Sequence, residues 1–278
     1  MTLPHELAPL DAALAGEEEA WIRARLAEDP SKVRVALPAL WAGLARRMGR
    51  RGLAGLLEHA GATVDLAAWR RCDAAGYLVL RRAEPVDDAG VVDLYLRGDL
   101  EERAILLRAM ALRPLTPATS RLLDDIQRTN VVAHLEAACL DNDLLVRALD
   151  GGLVSRERFD RLVLKVCFND LPLARMLDVV DRPGPELSRM LQDLATEREA
   201  AGRAVWRDTT RLCAGAPVAG TVARVLGGLE HGDAGLRLAA ADALGRLHRT
   251  DLLPFARERL DREDRPEVRA ALERVLAS

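Results

Sequence analysis

Apolar residues recur three and four positions apart along nearly the whole chain, and sustained two-residue alternation is almost absent. That period predicts helices throughout. Glu17–Glu28 reads as an amphipathic helix closed by Asp29-Pro30. Ser31 caps the next, which carries Val33, Leu37, Leu40, Trp41 and Leu44 and is expected to kink at Pro38. Gly49–Gly52 breaks the chain, a short segment follows around Leu53–His59, and Asp65 opens a longer helix through Trp69, Cys72, Tyr77 and Leu80. Gly76–Leu80 is the one stretch with strand character, and its helical surroundings assign it to helix. The middle reads as a series of helix pairs: Asp99–Arg113, Pro117–Arg128, Asn130–Leu140, Leu144–Leu149, Ser155–Phe168, Pro172–Val180 and Pro185–Ala201. Pro114, Pro117, Pro172, Pro183 and Pro185 fall at helix ends or first turns, where the missing N–H does no harm. Gly151-Gly152 and Gly215-Ala216-Pro217 are the candidate hinges.

The C-terminal pattern is more specific. Leu236-Arg237-Leu238-Ala239-Ala240-Ala241-Asp242-Ala243-Leu244-Gly245-Arg246-Leu247 resembles the second helix of a HEAT-type repeat. Its small residues allow close helix approach, and its leucines at helical spacing fill the groove between neighbours. Val268-Arg269-Ala270-Ala271-Leu272-Glu273-Arg274-Val275-Leu276 repeats the theme more loosely, and Asp233 and Asp264 precede the two helices where a carboxylate can cap free N–H groups. The expected fold is therefore all-α, an α-solenoid of helical hairpins with HEAT-like repeats at the C-terminus. Three regions are expected, 1–97, 98–214 and 217–278, stacked as one continuous solenoid. Solenoids present surfaces, and a catalytic centre does not follow from the architecture.

Composition agrees. Aromatic residues are scarce and apolar content is high, which favours close-packed helices over a sandwich. The net charge of −3 gives no global drive toward nucleic acid or acidic lipid. Cys72, Cys139, Cys167 and Cys213 form no CxxC pair and read as small core residues of a reducing compartment. No apolar run approaches the ~18–20 residues that span a bilayer, and the N-terminal stretch lacks the basic start and apolar core of a signal peptide. The expected location is the cytoplasm.

Several residues carry possible chemistry. Arg158, Arg161 and Lys165 share one helical stripe opposite Phe159, Leu162, Val163 and Val166. Lys165 then reads as a snorkelling lysine on a basic face, as part of an anion-contacting stripe, or as a desolvated amine open to Schiff-base chemistry. Thr129 or Asn130 is an N-cap for the helix that follows, or joins Arg128 in an anion pocket at its N-terminus. His134 has no second ligand at metal spacing and reads as a partly buried helix residue. Glu186, Arg189, Asp193, Glu197 and Ala200 line one face of a long helix, either a solvated face or the inner polar wall of a groove. Arg46, Arg47, Arg50 and Arg51, with Arg70-Arg71 and Arg81-Arg82, form basic clusters, but the acidic balance argues against nucleic acid. Asp124-Asp125 begins like the acidic run of all-helical terpenoid enzymes and lacks its third carboxylate. No phosphate-binding loop, dinucleotide fingerprint, zinc-protease motif or nucleophile elbow is present, and nothing calls for a cofactor or metal.

Short blocks in a fixed order add a family resemblance over about residues 98–206. They are Gly98-Asp99-Leu100-Glu101-Glu102-Arg103 with Leu106-Leu107-Arg108-Ala109, then Arg128-Thr129-Asn130 and Val163-Leu164-Lys165-Val166-Cys167-Phe168. Pro185-Glu186-Leu187-Ser188-Arg189-Met190-Leu191 and Glu197-Arg198-Glu199-Ala200-Ala201-Gly202-Arg203 leading to Trp206 complete the set. In these the chain resembles the EboA family of metabolite-traffic proteins. It departs from the family at Leu140-Asp141-Asn142-Asp143-Leu144-Leu145, where a Glu-Asn-Pro-Tyr-like turn is usual. The resemblance implies a part in moving a secondary metabolite or its precursor, with proteins of the same pathway, a small metabolite, or both as partners. Combined with charge, it singles out Arg128, Asn130, Lys165, Arg189 and Asp193 as candidate ligand contacts, with no catalytic residue. The leading expectation is a non-catalytic binding protein or scaffold. The alternatives are an enzyme or enzyme partner acting on the metabolite, and a HEAT-type protein-interaction scaffold with no small ligand.

Overall fold

A computed structural model describes residues 4–17, 19–48 and 51–277. The fold is all-α, with seventeen α-helices and one two-stranded hairpin among the described residues. Glu18, Gly49, Arg50 and Ser278 lie outside them, so the expected break at Gly49 and the Arg50 member of the basic cluster do too. The chain forms two compact units, Met1–Phe159 with Arg175–Leu177, and Asp160–Ala174 with Asp178–Ser278.

In the first unit the helices are α1 (Ala8–Ala12), α2 (Ala20–Ala27), α3 (Pro30–Trp41) and α4 (Leu44–Arg47), followed by the strands β1 (Leu56–His59) and β2 (Ala62–Asp65). Then come α5 (Arg71–Arg82), α6 (Asp88–Arg97), α7 (Leu100–Ala111), α8 (Pro117–Arg128), α9 (Val132–Cys139) and α10 (Leu144–Asp150). The chain crosses into the second unit within α11 (Arg156–Phe168). Helix α5 is the centre of the first unit, buried from Cys72 to Leu80, and Gly76–Leu80 is helical as expected. Capping follows the sequence at α7, where Asp99 accepts from the Glu101 and Glu102 amides and Glu102 returns the bond to the Asp99 amide.

Three expectations change. The stretch around Leu53–His59 is one arm of an antiparallel hairpin, with Leu56 opposite Asp65 and His59 opposite Ala62. Its turn uses Ala60 and Gly61, both at positive φ (51° and 79°), the geometry that joins two twisted strands in two residues. Asp65 accordingly caps a short 3-10 turn, Leu66–Ala68, and the long helix starts at Arg71. Pro172–Val180 is not a helix but two 3-10 turns, Leu173–Arg175 and Val179–Asp181, separated by Asp178 at φ 59°. Neither Thr129 nor Asn130 occupies the cap position of α9, which is Val131. The Thr129 hydroxyl instead accepts from the Val131 amide at 3.2 Å.

The second unit continues with α12 (Pro185–Ala200), α13 (Thr209–Cys213), α14 (Thr221–Leu229), α15 (Ala234–Leu247), α16 (Leu253–Arg262) and α17 (Pro266–Ala277). Helix α15 packs on α13, α14 and α17. Its buried face is Ala239, Ala240, Ala241, Ala243 and Leu244, and a Cβ on Gly228 would come to 2.9 Å from that of Ala240. Small residues thus set the approach of α14 to α15. Asp233 caps α15 as expected, accepting from the Gly235 amide at 2.6 Å and that of Leu236 at 3.3 Å. Asp264 lies exposed, 3.7 Å from Arg237, and it is Glu263 that accepts from the Arg265 amide.

Candidate functional site

A cleft of about 1080 Å³ opens within the second unit. One wall is α12, which presents Gln192, Thr196 and Glu199 at helical spacing. The segment after α12 turns through Gly202 at φ 64° and carries Arg203, Val205, Trp206 and Arg207 along the rim. Trp206 fixes that segment: its ring is buried and its Nε1–H donates to the Leu171 carbonyl at 2.8 Å. The facing wall is α14 with Gly220 at its N-terminal cap, and Gly220, Ala223 and Gly227 offer almost no side chain. A Cβ on Gly227 would meet nothing within 4 Å. The cleft is therefore the space that larger residues on this face would fill.

Two ties hold the walls apart at a fixed distance. Gln192 Nε2 donates to the Thr221 hydroxyl at 2.8 Å. Arg224 pairs with Glu199 at 2.6 Å and also donates to the Thr196 hydroxyl at 3.1 Å. His231 and Asp233 close one end, with the Asp233 amide donating to His231 Nδ1 at 2.9 Å. That bond leaves the proton of the neutral ring on Nε2 as a donor. At the base lies Thr210, itself buried, with a hydroxyl that has no hydrogen-bond partner.

The charges around the cleft are unequally engaged. Asp170 pairs with Arg198 at 2.5 Å, and Glu199 with Arg224. Asp208 binds Arg211 and accepts from the Leu173 amide. Asp233 caps α15, and the Gly235 amide holds its carboxyl below the ordinary carboxylate range. Arg207 has only a long contact to Asp233, 3.7 Å, on an exposed side chain. Arg203 is exposed and has no ion pair among the described residues. The unengaged charge of this cleft is positive.

The five residues singled out from the sequence lie elsewhere in the chain. Arg128 ends α8 in the first unit, exposed and 4.0 Å from Asp125, and Asn130 is exposed two residues on. Lys165 is half-buried on α11, where its carbonyl accepts from Asn169 Nδ2 at 2.8 Å; Leu162, Val163 and Val166 are buried as the stripe predicts. Arg189 and Asp193 are brought together at 2.6 Å, and Arg189 also binds Glu186 at 2.6 Å, so the arginine of this exposed triad is already matched by two carboxylates. The cleft face of α12 is the adjacent one. Residues 192, 196, 199, 203, 207 and 224 were not singled out from the sequence. The spacing of Gly220, Ala223 and Gly227 on one helical face is the signal that could have found their partner wall.

Other candidates are absorbed by structure. His134 is buried, its Nε2 lies 2.8 Å from the Leu100 carbonyl, and burial keeps its pKa below the usual histidine value. Asp124 pairs with Arg158, and Asp125 accepts from the Tyr95 hydroxyl at 2.7 Å. Arg70 joins Asp73 and Glu101, Arg71 joins Glu19, and Arg47 stacks 3.8 Å over Trp21. The Leu140–Leu145 turn is a structural staple: Arg175 holds Asp141 at 2.6 Å, and Asp143 accepts from the Thr63 amide at 2.9 Å. Burial pushes the Cys72 thiol up to about 11 and that of Cys213 to about 12, which keeps both protonated. Among the described residues no group of histidine, cysteine and carboxylate side chains is placed to hold a metal ion, and no helix is long and apolar enough to cross a membrane.

No curated protein and no solved structure matches this chain. Residues 78–213 match the family described as metabolite traffic protein EboA, a span that contains the α12 wall and the arginine rim of the cleft but ends before α14. Through that region the chain belongs to the EboA family.

Proposed function

We propose that this chain is a helical-repeat binding protein of metabolite traffic, working in the cytoplasm, which holds a small metabolite in the cleft of its second unit without converting it. The observation that carries this reading is the cleft itself, about 1080 Å³ between two helices tied by polar bonds, with small residues at Ala223 and Gly227 of one wall. Small-molecule sites of ordinary size, roughly 300–1,000 Å³, combine such an apolar space with a few placed polar groups. The family description supplies the context of metabolite traffic. The helix pairs α14–α15 and α16–α17 are read as HEAT-like units, and α14 of the first forms the cleft wall. Arg128, Asn130 and Lys165 are left as candidate contacts for partner proteins of the same pathway.

Native mass spectrometry of the protein purified from its own host, with solvent extraction of what travels with it, tests the reading. A small molecule in fixed ratio to the chain supports it, and Gly227→Phe should abolish its retention. A bare chain that instead co-purifies with another protein favours the second reading, a protein scaffold. The exposed apolar side chains Leu96 at the end of α6, Leu100 at the start of α7 and Val132 at the start of α9 are what favour that alternative.

A further inference from the structure

We infer that the ligand of this cleft is an amphipathic organic acid, one anionic group on an apolar body, with Arg203 and Arg207 receiving the acid. The inference rests on the reading of the cleft as a small-molecule site and adds the ligand's chemical class and orientation.

Charge is the first argument. Each acidic residue at the cleft already faces a cation or a row of backbone amides: Asp170 with Arg198, Glu199 with Arg224, Asp208 with Arg211, Asp233 with the α15 amides. A cationic ligand would have to displace one of these partners. Arg203 has no ion pair among the described residues, and the Arg207–Asp233 contact is long and solvent-facing, so it contributes little. An incoming carboxylate, sulfonate or phosphate therefore gains a charge-assisted contact and breaks nothing.

Shape is the second. The rim arginines flank Val205 and Trp206, while the opposite wall is the face of Ala223 and Gly227, continued by Leu236. An apolar body lying on α14 buries carbon against this wall and leaves its acid at the rim. Two neutral groups remain for a hydroxyl or carbonyl on that body: the His231 Nε2–H and the unpartnered Thr210 hydroxyl. The two halves of the specificity come from different parts of the sequence. Charge is set by residues 203 and 207, inside the family match, and size by residues 223 and 227, beyond it.

Two fluorescent probes with nearly the same ring system separate these statements. 1-Anilinonaphthalene-8-sulfonate carries the acid, and N-phenyl-1-naphthylamine lacks it. The full chain should bind the sulfonate about ten-fold tighter than the neutral probe, a difference of about 1.4 kcal/mol. Arg203→Ala with Arg207→Ala should remove that advantage and leave the neutral probe unchanged, while the surface variant Arg189→Ala changes neither. Gly227→Phe should abolish both titrations, with Gly227→Leu in its place if the phenylalanine variant does not give a wild-type circular dichroism spectrum. Equal binding of both probes, indifferent to the arginines but blocked at Gly227, would overturn the acid and leave the cleft reading standing. Titrations that Gly227 variants do not touch, or no binding of either probe, would overturn both.

Discussion

In the middle of α5 a Cβ on Gly76 would run into Cγ2 of Ile105 and come within 3.3 Å of the Trp41 ring. In the middle of α14 a Cβ on Gly227 would meet nothing within 4 Å. Both residues are helical glycines, and a sequence does not tell them apart. The first is there because two neighbours need the space, the second although nothing occupies it. Charges repeat the contrast. Around α15 the buried Arg237 holds Glu263 through two bonds of 2.8 Å, gives its third nitrogen to the His231 and Gly232 carbonyls, and shares Glu263 with Arg259 at 2.9 Å. Beside the cleft Arg203 has no ion pair. A helix that carries no side chain into open space pays a propensity penalty for nothing in the fold. An open helix face of that kind, beside an arginine with no ion pair among the described residues, is the arrangement on which the cleft reading rests.

The largest effect should come from breaking the closed side of this contrast. Glu263→Ala leaves Arg237 buried without its carboxylate and should cost about 3 kcal/mol, the low end for a broken buried pair because Asp264 stands nearby. Hydrogen exchange should then quicken across α15–α17. The pair also sets a pH dependence. Arg237 holds the Glu263 carboxyl far below its ordinary value of 4.5, so the unfolded chain takes up that proton first. The stabilisation is complete above the unfolded value and is lost as pH falls below it toward the depressed folded value. Glu263→Gln should therefore be less stable than wild type at neutral pH and show a shallower acid decline. An unchanged acid limb would mean that the pair contributes no stability.

The two glycines test the contrast directly. Gly76→Ala overfills a packed core and should destabilise the protein by about 2 kcal/mol, within the ordinary range for overpacking. Gly227→Ala adds a methyl to an open helix face and should stabilise by about 0.5–1 kcal/mol. Urea unfolding midpoints of both variants check the signs. Equal signs would erase the distinction between packed and vacant glycine on which the site is built.

The all-α fold was legible because the 3.6-residue period is continuous, and the cap at Asp233 stands where the sequence puts it. The hairpin was not, since each strand has only four residues and its turn is Ala60-Gly61, without the Asn or Asp that usually marks one. The candidate site was the least legible part. Gln192, Thr196 and Glu199 form an ordinary polar helix face, and only α14 standing opposite, with small residues at Ala223 and Gly227, turns that face into a wall. Reading the sequence by charge led to Arg189, one turn away on the same helix, because Glu186 and Asp193 bracket it. The bracketing is what satisfies it. Arg203 follows the end of α12, and Glu199 four residues before it is taken by Arg224, so Arg203 is left without an ion pair among the described residues.

Arg189→Ala should accordingly give the smallest effect of all. The triad it forms with Glu186 and Asp193 is exposed, and exposed pairs exchange their contacts for water at little net cost. The variant's melting temperature should match wild type within error, and sulfonate-probe affinity should be unchanged, whereas Arg203→Ala should weaken it at an unchanged melting temperature. The two arginines differ in sequence position by less than the length of the helix that carries the first. A ligand effect at Arg189 equal to that at Arg203 would mean that the acid is received on the triad face of α12, and the vacancy on α14 would then need another explanation.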